Sequence, residues 1–298
     1  MIKYFLIFFL FSTPLLSHDF AYFVSGDNCT TLKTVKQAQY PLHNSLIIPP
    51  GTYIHQGIHY DMSREGVYRI GDIGKSHIQR VVYNKNFLTL MKSLAWVHWH
   101  GYEDDQKSFS DKMKIAETRK IQMICGSASY FYQAILNSYN IQSRIVLFLT
   151  LDPWNSYDNG HTLIEVKQNN DWYLWDVDLK RYFLNDKYQL DALQFCDAQN
   201  SQYTIYRYSS ALVFGNCTSN SYDYSFYFEG NLISEDSLKR WYKHCAQVLM
   251  IEENGLWYFT CEERHASRVN SYGMPTKYMP RDEFKARFYP HKKIPRDH

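Results

Sequence analysis

Along the chain the hydrophobic positions change period several times, and each change marks an element. Tyr4 to Leu16 is an almost unbroken apolar run behind Lys3. It is shorter than the roughly 20 residues a membrane-spanning helix needs, and Ser17 supplies a small residue at its end. That order predicts a cleaved secretory signal over residues 1–17. Residues 18–84 alternate short apolar runs with turn residues such as Pro49-Pro50-Gly51 and read as β or irregular structure. Asn86 to Tyr102 reads as a helix, with Leu88, Met91, Leu94 or Ala95, and His98 at helical spacing behind an Asn86 cap. Glu103 to Gln122 is polar, with room for one short helix.

From Cys125 the helical period returns. Cys125, Ala128, Tyr132, Ile135 and Tyr139 share one stripe, and Asn140 is suited to end the helix in the left-handed region. Ile145–Leu151 is a continuous apolar run expected to be a buried strand. His161–Gln168 and Trp172–Asp178 flank Asn169-Asn170-Asp171 and predict a hairpin. A helical pattern at Ser234–Met250 and an aromatic strand at Leu256–Cys261 follow, and the charged tail from Lys277 reads as a solvated end. The domain reading is a signal at 1–17, an N-terminal segment at 18–102, a core at 103–190 and an extension at 191–298.

Composition narrows the function classes. A net charge of +2 gives no bulk attraction to nucleic acid or anionic lipid, so any partner is selected by a local site. The 45% apolar content, with no second long apolar window, describes a globular protein without stable membrane insertion. Export implies a secreted or periplasmic location and an oxidising compartment. There Cys196, Cys217, Cys245 and Cys261 are expected to form two disulfides, most simply Cys196 with Cys217 and Cys245 with Cys261. Asn28-Cys29-Thr30 and Asn216-Cys217-Thr218 fit the glycosylation acceptor pattern, which carries meaning only in a glycosylating host.

The chemistry concentrates in the middle. Cys125 opens its helix, where unpaired backbone N–H groups favour a thiolate, the species that attacks a carbonyl. A lone cysteine of this kind is more often structural. His161 and Asp176 shift the balance. If the hairpin turn holds an even number of residues, Asn169-Asn170 at the shortest, His161 lies opposite Asp178 and diagonal to Asp176, with all three side chains on one face. Either carboxylate can then orient the imidazole. His55 with His59 and His98 with His100 are spaced like metal pairs but lack further ligands at suitable spacing, so no metal or other cofactor is expected. Trp154, Tyr157, Trp172, Tyr173 and Trp175 crowd this region and serve either a substrate groove or the core.

Cys125-Gly126-Ser127-Ala128, then Asn140-Ile141-Gln142-Ser143-Arg144, then Gly160-His161-Thr162, then Trp172-Tyr173-Leu174-Trp175-Asp176 together resemble the transglutaminase-like, papain-related superfamily. The resemblance covers about residues 119–180. It implies an α+β fold in which the nucleophile helix packs on an antiparallel sheet, and a triad of Cys125, His161 and Asp176. It also implies thioester chemistry on protein or peptide amides, released to water or to an amine. The backbone N–H of Cys125 is the natural first oxyanion donor, and Trp96, His98, Trp99 and Gln122 are candidates for the second. The alternative is a binding or adhesion module that keeps the fold without the chemistry.

Overall fold

The computed structural model describes residues 21–25, 28–71, 77–151, 160–186, 188–200, 202–211, 234–270 and 273–290. The expected signal at 1–17, Trp154, Tyr157, Asn216 and Cys217 lie outside them.

The described residues between 21 and 84 form β structure. It holds β1 (Tyr22–Ser25), β2 (Asn28–Thr31), β3 (Tyr40–Pro41), β4 (Ile47–Ile48), β5 (Gly51–His55), β6 (Ile58–Met62), β7 (Gly66–Ile70) and β8 (Ile78–Val82). These form a five-stranded sheet in the order β2-β1-β7-β8-β4 and a three-stranded one in the order β3-β5-β6. In the β5–β6 hairpin Ile54 pairs with His59 and His55 with Ile58. Pleat alternation therefore sends His55 and His59 to opposite faces.

Helix α1 (Phe87–Val97) starts as expected, with the Asn86 side chain accepting from the Thr89 N–H at 3.1 Å. It stops five residues earlier than its apolar spacing predicts. His98 and His100 are buried and Trp99 less so, a period of two that makes β9 (His98–His100), paired parallel to β10 (Ile121–Met123). Between them lies α2 (Phe109–Ala116), capped by Ser108. β10 leads directly into α3 (Cys125–Ser138), which ends where Asn140 adopts φ 59°.

The largest sheet runs β15-β14-β13-β12-β11-β16-β17-β18, with β11 (Ser143–Leu149), β12 (His161–Gln168), β13 (Asp171–Asp176), β14 (Arg181–Leu184), β15 (Thr204–Arg207), β16 (Val248–Glu253), β17 (Leu256–Thr260) and β18 (Thr276–Tyr278). It runs unbroken across the 190/191 boundary, because β16 pairs with β11 from the far end of the sequence. Among the described residues the remaining α-helices are α4 (Ala192–Ala198), α5 (Glu235–Cys245), α6 (Ala266–Asn270) and α7 (Arg281–Phe288).

Alternation along β12 divides the core in two. Ile164 and Val166, with Trp175, belong to the apolar cluster that α1 and α3 cover. Leu163, with Leu174 and Phe183, belongs to the cluster covered by α4, α5 and α7. The architecture is α+β, a mixed and mainly antiparallel sheet with helices on both faces. No helix among the described residues is long and apolar enough to cross a membrane. Among the described cysteines no disulfide is formed, so the expected Cys245–Cys261 bridge is absent. Cys245 is buried on α5, whereas Cys261 lies just beyond β17 with its thiol directed to the Glu262 carbonyl.

Candidate active site

The hairpin that carries the imidazole and the acid has the shortest even turn. Gln168 pairs with Asp171, leaving Asn169 and Asn170 between the strands at φ 51° and 69°, the left-handed pair of a type I′ turn. That register puts His161 and Asp176 on one face. His161 Nε2 donates to Asp176 Oδ2 at 2.7 Å, and both side chains are buried. Gly160 makes the approach possible. Its φ is +121°, and a Cβ there would sit 1.9 Å from the Phe148 carbonyl oxygen, on the β11 residue that pairs with His161.

Asp176 is held from three sides. Besides His161, its Oδ2 accepts from the Tyr242 hydroxyl at 2.5 Å, and its Oδ1 accepts from the Leu179 N–H at 2.8 Å. Burial and then the Asp176 charge hold the Tyr242 phenol well above its usual pKa, so it stays a donor. Trp241, its neighbour on α5, packs edge-on against the His161 ring at 4.8 Å between centroids. Sequence reasoning missed both residues. Their signal was the Leu238, Trp241, Tyr242, Cys245 stripe, which marks a buried helix face without naming what it meets.

Cys125 is half-buried at the first position of α3. The first turn lies over the start of β12, where Ser129 Oγ donates to the Thr162 carbonyl at 3.2 Å. Burial works against the His161 imidazolium, but the Asp176 carboxylate and then the Cys125 side chain outweigh it, and the pKa of His161 is raised well above 6.5. Asp176 occupies Nε2, so Nδ1 is the nitrogen left for the thiol. Ile124 offers no side-chain cap to α3, and Asp105 anchors the residue before the helix, its Oδ1 accepting the Ile124 N–H at 2.9 Å. Lys112 Nζ braces the same corner, donating to Ser127 Oγ at 2.5 Å and to the Asp105 carbonyl at 2.9 Å.

Asp178, the other possible orienter, belongs to a different group. β13 ends at Asp176, and the turn beyond it carries Asp178 to His100, whose Nδ1 lies 2.8 Å from Oδ2. His98 Nε2 is 3.6 Å from Oδ1, too long for a hydrogen bond. Burial pushes His98 down to about 4, so it is neutral at ordinary pH.

Of the four proposed oxyanion donors, the Gln122 amide donates to Glu103 Oε2 at 2.6 Å, His98 packs edge-on against Tyr132 in the interior, and Trp96 and Trp99 both flank the Lys120 ammonium. Trp175 is buried in the core, whereas Trp172 and Tyr173 are half-buried at its edges. Trp172 lies under the Arg144 guanidinium at 4.0 Å near the hairpin turn, and Trp175 contacts Phe87, Tyr182 and Tyr208. Among the described residues no group of three His, Cys, Asp or Glu side chains is arranged to hold a metal ion.

No protein-family model, curated protein or solved structure matches the chain. The chemistry of the site therefore rests on its own geometry.

Proposed function

We propose that the chain is a cysteine-dependent acyl-transfer enzyme of transglutaminase-like type, acting on protein or peptide amides with water as the preferred acceptor. The carrying observation is the buried His161–Asp176 hydrogen bond, with Asp176 fixed by Tyr242 and the Leu179 N–H, next to a helix whose first residue is Cys125. A buried carboxylate with three donors is costly to assemble for packing alone, whereas an imidazole needs such a partner to hold one tautomer and to bear a proton. In this reading His161 Nδ1 takes the thiol proton and the Cys125 sulfur adds to the amide carbonyl carbon. The C–N bond breaks, the amine leaves with the proton from His161, and water hydrolyses the thioester with His161 again as base. The first-turn N–H of Cys125 has no carbonyl partner within its own helix and can donate to the oxyanion.

The apolar N-terminal run supports export to a secreted or periplasmic location. Hydrolysis is preferred because nothing in the sequence marks an amine-acceptor site.

A peptide-library hydrolysis screen comparing wild type with Cys125→Ala, Asp176→Ala and Asp178→Ala tests the reading. Wild type should cleave a subset of peptides, Cys125→Ala none, and Asp176→Ala should lose far more activity than Asp178→Ala, provided circular dichroism shows each variant folded. Turnover that survives Cys125→Ala, or equal losses at the two aspartates, would overturn it.

A further inference from the structure

The nucleophile and its base stand on different sheets. β9 and β10 form a two-stranded sheet of their own, whereas β12 and β13 belong to the eight-stranded one. Cys125 follows β10, and the His161–Asp176 pair sits on β12 and β13. Among the described residues no main-chain ladder therefore sets the distance from the thiol to the imidazole, and side chains have to set it. One such tie is the Ser129 Oγ bond to the Thr162 carbonyl, a full turn beyond Cys125. Nearer the start of α3 the surfaces are in ordinary contact, since a Cβ on Gly126 would lie 3.7 Å from Thr162 Oγ1.

Each half of the site has its own frame. Met123 pairs with His100, and its carbonyl accepts from the Gly101 N–H at 3.2 Å. The Gln122 carbonyl accepts the Asp104 N–H at 3.1 Å, and the Gln122 N–H donates to Asp104 Oδ2 at 3.0 Å. With the Ile124 N–H bound by Asp105, residues 122–124 are held by residues 100–105, and the start of α3 goes where β9 goes. On the other side the Leu179 N–H donates to Asp176 Oδ1 at 2.8 Å, which makes Asp176 and Asp178 parts of one turn. His100 and Asp178 join the two frames, with Nδ1 2.8 Å from Oδ2 and both side chains buried. An apolar contact would hold the same surfaces together with less desolvation, but a hydrogen bond also specifies direction and length.

We propose that His100 and Asp178 are a positioning pair, whose hydrogen bond holds the start of α3 where the Cys125 thiol meets His161. The proposal rests on the enzyme reading and deepens it. In this role neither residue acts on the reacting atoms; both act through the backbone that carries them. Ser129 and the His100–Asp178 pair hold the helix at two separate places, so its tilt is fixed as well as its distance. Tilt matters because a displacement of about 1 Å between reacting groups can cost about a hundredfold in rate. The effect on turnover stays below that of Asp176→Ala, since His161 keeps its own acceptor when Asp178 is lost.

Alkylation of the intact protein with iodoacetamide at neutral pH tests the proposal. The ratio of Cys125 to Cys29 labelling is the readout, and the buried Cys245 reports unfolding in the same sample. The double variant His100→Leu/Asp178→Leu removes the bond without stranding a buried carboxylate. Its ratio should fall about threefold or more, and adding His161→Ala to it should change little further, because a displaced thiol no longer meets the imidazole. His100→Asn keeps an N–H donor near the place of Nδ1 and should retain the wild-type ratio. If labelling of Cys245 shows the double variant unfolded, His100→Gln, which moves the donor one bond outward at similar volume, gives the same comparison. An unchanged ratio in the folded variant, an equal loss in His100→Asn, or a His161→Ala effect as large as in wild type would overturn the proposal and leave the enzyme reading standing. Wild-type Cys125 reacting no faster than Cys29 would instead end the enzyme reading, and the proposal with it.

Discussion

Tyr242→Phe removes one oxygen atom from the support of Asp176 and little else. The ring sits edge-on to Phe183 at 5.0 Å, to Phe195 at 5.6 Å and to Trp241 at 4.9 Å, and phenylalanine keeps all three contacts, so no cavity cost enters. What is lost is a 2.5 Å hydrogen bond to a fully buried carboxylate oxygen. Hydrogen bonds to charged groups contribute about 1.5–3 kcal/mol. Because Oδ2 keeps His161 and Oδ1 keeps the Leu179 N–H, the expected loss lies near the lower end, about 2 kcal/mol. Urea unfolding followed by tryptophan fluorescence reads it as a lower midpoint with an unchanged slope, since the surface exposed on unfolding is the same. Peptide hydrolysis, where detected, should fall in kcat more than it rises in KM, because a looser Asp176 affects the proton relay more than binding. A stability change below about 0.5 kcal/mol, within the range of surface substitutions, would refute the claim that Tyr242 holds the acid.

Two other substitutions probe the same corner. Gly160→Ala forces a Cβ onto the Phe148 carbonyl oxygen at a positive φ and should cost about 3 kcal/mol or more; calorimetry showing a melting temperature within a degree or two of wild type would contradict the placement of β12 against β11. His161→Gln tests the sign of the linkage. The folded pKa of His161 is raised, so its stabilising contribution is complete below the ordinary value of 6.5 and is lost as pH rises through the folded value. The stability gap between wild type and variant, from urea titrations at several pH values, should therefore be widest on the acid side and narrow towards alkaline pH; a gap that widens with pH would invert the assignment.

The elements that carry the candidate site were legible because they are governed by local rules. The α3 stripe is buried at Ala128, Tyr132 and Ile135, half-buried at Cys125 and exposed at Tyr139, and the Asn169-Asn170 turn fixes the parity of every side chain on β12 and β13. Parity alone could not separate Asp176 from Asp178, since both fall on the same face. The choice is made by partners distant in sequence, Tyr242 for the first and His100 for the second. Those partners depend on which sheet face α5 covers and on β9 lying beside β10, neither of which an amphipathic period encodes. The helix read through His98 failed for a related reason. His98 sits at helical spacing from Leu94, but in β9 it is buried by strand alternation, and a period of two in three residues is too short to outweigh the stripe that precedes it. The Cys245–Cys261 bridge was inferred from cysteine number and compartment, and cysteine arithmetic carries no geometry.

The central claim is that Cys125 is a nucleophile served by His161, and the protein contains its own control in Cys29, an exposed thiol on β2 remote in sequence from the relay. Carbamidomethylation of both cysteines in the same sample at neutral pH, followed by mass spectrometry over time, compares them directly. The account predicts that Cys125, although less exposed, reacts about tenfold faster or more than Cys29 in wild type, and that the advantage disappears in His161→Ala while Cys29 is unaffected. Cys125 reacting no faster than Cys29, with a rate indifferent to His161, would contradict it.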